Sequence, residues 1–305
     1  MSTATTTVPA AQDPSPAQLG AASGSRKVKD QIARVIVWAA FLLALAPLAW
    51  ILFDVVSNGA KLLLDPQWWT NSQRGISARK VGGGAYHAIL GTLLQAFVTA
   101  IISVPIGIFT AIYLIEYGRG RFAKAVSFMV DILTGVPSIV AALFVFAVWV
   151  TTFGFEKMPF AVCLALMLLM IPTIVRSTEE MLKLVPNELR EASYALGVPK
   201  WKTIAKVVLP TAFSGIVTGV LLGLARVMGE TAPLIVLAPY SKSISTNLFG
   251  GNMATLPTMI NDGRGDIFIP AAHDRVWAAA ATLIVLVLVL NLLGRIVAHF
   301  GSVKS

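Results

Sequence analysis

Apolar residues in this chain collect into six long stretches separated by polar, glycine- or proline-bearing segments. The hydrocarbon core of a bilayer needs roughly 20 apolar residues in helical form. On that criterion the stretches Ile32–Phe53, Ala88–Leu114, Phe122–Val150, Pro159–Val175, Phe213–Leu237 and Trp277–Val297 predict six transmembrane helices, and the expected fold is an all-α polytopic membrane protein. The fourth stretch is short and is expected to continue as helix through Arg176 to Leu182. Pro105 and Pro137 lie inside the second and third. A proline kinks a membrane helix without forbidding it, so both are expected to be accommodated within single spans.

Residues 1–31 are expected to form a disordered cytoplasmic tail. The first 25 are rich in Ala, Ser, Thr, Pro and Gln and hold no apolar run, so no signal-peptide core is expected there. The first helix follows at 32–53 and an extracytoplasmic loop at 54–87. The second long extracytoplasmic loop is expected over Ala238–Val276. Adjacent Trp68 and Trp69 are expected at the headgroup level. Gly82–Gly84 is expected to turn the chain into the second span.

Composition changes the picture only by sharpening it. Of 305 residues, 56% are hydrophobic and 13% charged, which excludes a soluble globule and a disordered chain. A single cysteine, Cys163, excludes a disulfide scaffold. The net charge of +9 would suggest nucleic acid in a soluble protein, but here its location carries the meaning. With the N-terminus inside, fifteen of the 24 Lys and Arg fall on cytoplasmic segments and eight outside, with Arg226 left within a span. Both termini are therefore expected in the cytoplasm.

Catalytic chemistry finds no constellation. His87, His273 and His299 lack a second ligand at metal spacing. There is no Gly-x-Ser-x-Gly, and no Gly-Lys-Ser/Thr follows the glycine triplet, so the chain is not expected to hydrolyse ATP by itself. Asp131 stands alone in the third span and is expected to face a polar vestibule or a neighbouring helix.

The loop between the fourth and fifth spans is the most informative stretch. Asn187 reads as the N-cap of a short helix over about 187–198. Leu189, Ala192 and Leu196 form its apolar face, Gly197 ends it and Pro199 blocks its continuation. Glu191-Ala192-Ser193, then Gly197, then Leu209-Pro210 resembles the Glu-Ala-Ala loop of ABC importer permeases, with Ser193 in place of the second alanine. The fifth span adds Ala225-Arg226-Val227-Met228-Gly229-Glu230-Thr231-Ala232-Pro233, which resembles a segment of the PstA-type permeases of phosphate importers. Further agreement lies in Ala88–Leu93, Gly135–Val140 and Arg176–Leu182.

The resemblance implies a type I ABC importer permease core over 88–300, with the first span peripheral. It implies a second homologous permease subunit, two ATP-binding subunits and an extracytoplasmic phosphate-binding protein as partners, in addition to membrane lipid and without nucleic acid. No cofactor is expected on this chain; ATP and Mg belong to the partner ATPase subunit. Glu191, Ala192 and Gly197 would dock that subunit. Arg226 and Glu230, four residues apart on one helical face, are the expected pair in the substrate path. Arg226 would attract the oxyanion and Glu230 would tune its release. Arg176 is either an interfacial anchor or a second cation near the exit, with Glu179 and Glu180 beside it. A sulfate or molybdate permease and a stand-alone secondary transporter are the alternatives at this point.

Overall fold

The computed structural model describes residues 24–301. Among these the secondary structure is helical throughout. The chain divides after Phe53 into two compact units. Helix α1 (Gly24–Leu63) begins eight residues before the expected Ile32, so the expected tail shortens to residues that lie outside the described ones. From Val28 to Phe53 its side chains are exposed all round, as an apolar helix solvated by hydrocarbon would be.

In the second unit α1 runs ten residues beyond the expected end at Phe53. A short α2 (Pro66–Thr70) follows, started by Asp65, whose carboxylate accepts from the Gln67 N–H at 2.9 Å. Gly82 and Gly83 take positive φ and carry the chain into α3 (Tyr86–Ile112), which ends in a π-helical turn, Tyr113–Tyr117. Pro105 stays inside α3, as expected.

Pro137 does not behave that way. The expected third span is two helices, α4 (Gly120–Gly135) and α5 (Ser138–Val145, widened to a π turn over Phe146–Thr152), bent by 109°. Val136 is extended, the conformation that a following proline ring favours, and Pro137 has no N–H with which to resume the ladder.

Helix α6 (Pro159–Leu184) continues past Val175 as expected. After it come α7 (Asn187–Ala195), α8 (Lys200–Thr203) and a third π turn, Ile204–Val208, opening α9 (Leu209–Gly229). The expected fifth span does not reach Leu237 as one helix. It stops at Gly229 and restarts as α10 (Ala232–Leu237). Pro233 cannot donate to the Gly229 carbonyl, which breaks the ladder there. The loop that follows contains α11 (Leu256–Gly263) and leads to α12 (Pro270–Gly301). Five helical segments are long and apolar enough to cross a membrane, and the bent α4–α5 pair is a sixth if it crosses as one.

Helix α6 is the hub. Its Ala161, Ala165, Leu166, Met170 and Ile174 form a core with Val227 and Leu234. Close approach is set by small residues at every fourth position of its neighbours. On α9, a Cβ at Gly215 would strike Met181 and one at Gly219 would strike Ser177. On α3, a Cβ at Gly107 would lie 2.7 Å from Cγ2 of Ile174. Lipid offers no hydrophobic drive between helices, so such backbone approach supplies the attraction through dispersion. A separate core at one end of the unit joins Trp68, Ala88, Leu256, Met259 and Ala278.

Candidate functional site

Two regions carry chemistry, one at each end of α3. The first is α7 and its surroundings. The helix begins at Asn187 with Pro186 as its N-cap, so Asn187 is not the cap; its Oδ1 accepts from Arg190 Nη1 at 3.3 Å instead. The far end is a Schellman closure. The Val198 N–H bonds the Ser193 carbonyl at 3.2 Å and the Gly197 N–H bonds Tyr194 at 2.9 Å, with Gly197 at φ +74°. Leu196 is 83% exposed and Leu189 and Ala192 are also exposed, so among the described residues the apolar face read from the spacing is left uncovered. Glu191 is exposed beside it.

The inner face is polar. Ser193 is buried, its hydroxyl 2.8 Å from that of Thr203 on α8. Serine at this position is therefore a hydrogen-bonding choice as well as a small residue. Arg190 places all five of its N–H groups, an arrangement that spacing alone does not reveal. Nε and Nη2 donate to Glu116 Oε1 at 3.1 and 3.0 Å, Nη1 to the Val185 carbonyl at 2.6 Å and to Asn187, and Nη2 to the Leu182 carbonyl at 2.9 Å.

The second region is the break between α9 and α10. Arg226 is in the last turn of α9, where a cation complements the negative end of the helix dipole. Glu230 lies past the helix end in extended conformation, its N–H bonded to the Val227 carbonyl at 3.2 Å. The two are paired over the last turn of α9 at the i,i+4 spacing, Glu230 being its C-cap. They stand 3.8 Å apart, an ion pair without a hydrogen bond. That is the only polar partner the described residues give Arg226, whose side chain is 45% exposed. Glu230 is mostly buried and lines a small cavity with Thr92 and Gln95 of α3 and with Thr255. Gln95 is buried, and among the described residues neither amide atom has a hydrogen-bond partner. Its signal was a lone amide within an apolar run.

Arg176 is not brought to this pair. Its guanidinium bonds Glu179 at 2.5 Å, Asp131 of α4, and the Ser127 carbonyl and hydroxyl at 3.0 and 3.1 Å. One cation thus faces two carboxylates, and Asp131 finds the neighbouring helix expected for it. Trp68 is not at a headgroup surface but fully buried, whereas Trp69 is partly exposed. His87 is buried, Nε2 3.5 Å from the Tyr240 hydroxyl. Burial and the charge of Asp262 push that phenol above its usual range. Among the described residues, no group of three or more His, Cys, Asp or Glu is placed to hold a metal ion.

Residues 103–300 match the family described as binding-protein-dependent transport system inner membrane component. The phosphate transport system permease protein PstA of Mycobacterium leprae is 54% identical over 271 residues, covering 88% of both chains. This chain belongs to the PstA-type permeases. The PstA of Yersinia pestis, 39% identical over 89% of this chain and 90% of that one, is a more distant relative. At the level of fold, the permease resembles a chain of the bacterial alginate ABC transporter in complex with its pentasaccharide-bound periplasmic protein (TM-score 0.63, 15% identity, 88% of this chain and 94% of the other). It also resembles the inward-facing MetNI methionine ABC transporter (TM-score 0.55, 19% identity, 72% and 95%). It is thus an inner-membrane permease subunit with the type I ABC importer fold.

Proposed function

We propose that this permease forms half of the translocation path for inorganic phosphate in an ATP-driven importer. The observation that carries the substrate is the 54% identity to a phosphate transport permease over 88% of both chains. A second, homologous permease subunit completes the path, two ATP-binding subunits hold ATP and Mg²⁺, and an extracytoplasmic binding protein delivers the anion. Both termini lie in the cytoplasm, a placement supported by the excess of Lys and Arg on the segments it puts inside. That orientation sets α7 in the cytoplasm, where the outward face around Leu189, Ala192 and Leu196 docks an ATP-binding subunit, with Glu191 at its edge and Gly197 closing it.

Arg226 is the oxyanion contact. Its guanidinium is charged, half-exposed and free of hydrogen bonds to Glu230, so its planar fork can donate two to a tetrahedral anion. Glu230, at the end of the same helix, repels the same anion and limits its residence, since a transport site must also release. Arg176 stands apart from this pair. With Asp131 and Glu179 on it, it offers little net attraction to an anion and fastens α4 to α6 instead.

The test is uptake into vesicles carrying the assembled complex and its binding protein, with labelled phosphate, sulfate and molybdate compared. Phosphate should accumulate only with internal ATP and should resist competition by the other two. Sulfate or molybdate uptake at the phosphate rate would reassign the substrate. Uptake by this chain without an ATPase subunit would favour the stand-alone alternative.

A further inference from the structure

A force applied to α7 reaches the membrane helices through the backbone at its two ends and through the side chains of its inner face, which has few attachments. The largest is Arg190. It joins three elements at once: α7 itself, the C-terminal carbonyls of α6 at Leu182 and Val185, and the Glu116 carboxylate in the π turn that ends α3. The ion pair is shielded, with the Arg190 and Glu116 side chains 13% and 6% exposed. Lys200, just beyond α7, converges on the same turn. Its ammonium bonds the Glu116 carbonyl and lies 4.7 Å over the ring of Tyr117.

The flanking backbone matters equally. α3 meets this junction through the π turn Tyr113–Tyr117, and α9 leaves it through the π turn Ile204–Val208, whereas α6 reaches it as regular α-helix. A π turn is a rare widening of an α-helix that occurs frequently at functional sites. α3 also carries Thr92 and Gln95, which line the cavity beside Glu230.

We infer that the Glu116–Arg190 pair is the latch that passes movement of α7 into α3, and through α3 to the cavity beside Glu230. This rests on the reading of α7 as the dock for an ATP-hydrolysing subunit. Glu116 and Arg190 are positioning residues: neither touches the substrate, and each acts through the helix it holds. Removing the charge while keeping the shape would leave α7 folded by its Schellman closure and by Ser193–Thr203, with the tie of Arg190 to α3 reduced from an ion pair to neutral hydrogen bonds.

The experiment reconstitutes the whole complex with its binding protein and measures phosphate transported per ATP hydrolysed for Glu116→Gln and, as a second variant, Arg190→Gln. The ratio is the readout because a variant that merely folds less well lowers transport and hydrolysis together and leaves it unchanged. Retention of the ATPase subunit in detergent is scored in parallel, with Leu196→Asp on the outward face as the docking control. The expected result is that Glu116→Gln retains the ATPase subunit and loses about tenfold in phosphate per ATP, a typical scale for a lost coupling. An unchanged ratio overturns the latch. Loss of the ATPase subunit from Glu116→Gln also overturns it, because the pair would then maintain the dock rather than transmit from it. Retention of the ATPase subunit by Leu196→Asp counts against the docking reading, a separate failure.

Discussion

The indole Nε1 of Trp68 donates a 2.8 Å hydrogen bond to the hydroxyl of Thr282, a residue 214 positions away on α12, and both side chains are buried. Thr282 in turn donates to the Ala278 carbonyl at 2.6 Å. The threonine therefore accepts and donates at once, which valine of the same shape cannot do. This pair closes the end of the fold that holds α2 and α11.

Thr282→Val should leave the indole N–H buried without a partner and cost about 1–3 kcal/mol. Trp68→Ala, which also opens a cavity, should cost about 3–5 kcal/mol. Trp69→Ala should cost less than either, since its ring is partly exposed. Thermal unfolding of the detergent-solubilised complex ranks the three. A larger loss from Trp69→Ala would return both tryptophans to the headgroup role that their adjacency suggests.

The same end of the molecule holds a tight backbone approach. A Cβ on Gly91 would collide with the Ala254 carbonyl oxygen, which belongs to the backbone of the segment leading into α11. Gly223 differs, because its nearest neighbour would be the Met170 Cγ at 3.4 Å, an ordinary contact. Gly91→Ala should therefore cost about 1–3 kcal/mol as overpacking. Gly223→Ala should be neutral or slightly stabilising through helix propensity. Equal melting temperatures for the two variants would contradict the packing of the α11 segment on α3.

The six apolar stretches, the short α7 helix and the glycine that ends it were legible because each depends on local chemistry: span length, an amphipathic face and a residue suited to positive φ. The breaks were harder to read. Pro105 and Pro137 are identical residues inside apolar runs, yet only the second, preceded by an extended Val136, interrupts its helix. The four-residue count from Arg226 reaches Glu230 only because α9 lasts that far; the end of the helix at Glu230, which Pro233 enforces, was not read from the apolar run that continues to Leu237. Ion pairs between distant elements, Arg190 with Glu116 and Arg176 with Asp131, were beyond the sequence because they arise only when α3 and α4 pack beside α6. The spacing of Gly215, Gly219 and Gly223 was available as a signal for close packing against α6 and marks the α9 interface once the structure is known.

Gly197 tests docking and conformation separately. Among the described residues, apart from its two chain neighbours, no atom lies within 4 Å of where its Cβ would be, so a small side chain meets no clash with them. What it meets is the left-handed backbone at φ +74°, which costs a non-glycine residue about 1–2 kcal/mol and which asparagine tolerates best. If conformation alone matters, ATP-driven uptake should fall in the order Gly, Asn, Ala, Val, with Asn near wild type. If the partner surface packs there, Asn should be as impaired as Ala. Gly197→Asp, which adds charge to a close interface, should abolish uptake while the spans still insert. Normal uptake by a correctly inserted Gly197→Asp protein would remove Gly197 from the docking surface.

Arg226 and Glu230 can be separated by charge removal at constant shape. Arg226→Gln retains hydrogen-bond donors but loses the charge and should lose most phosphate transport without dissociating the complex. Glu230→Gln should impair transport through slower release. A purely structural ion pair makes the opposite prediction for the double change: with neither charge left unpaired, Gln at both positions would restore function. The geometry argues against that restoration. The pair is 3.8 Å apart at the end of α9, with Arg226 half-exposed, so little of its energy is available to hold the fold. The double variant should therefore be about as inactive as Arg226→Gln, because the oxyanion still lacks its cation. Stability should move by no more than about 1 kcal/mol in the double variant, which leaves neither charge unpaired. Labelled phosphate uptake at equal membrane abundance, together with thermal unfolding of each variant, decides the matter. Wild-type uptake by the double variant would leave the two residues as a structural pair and place the anion contact elsewhere in the path.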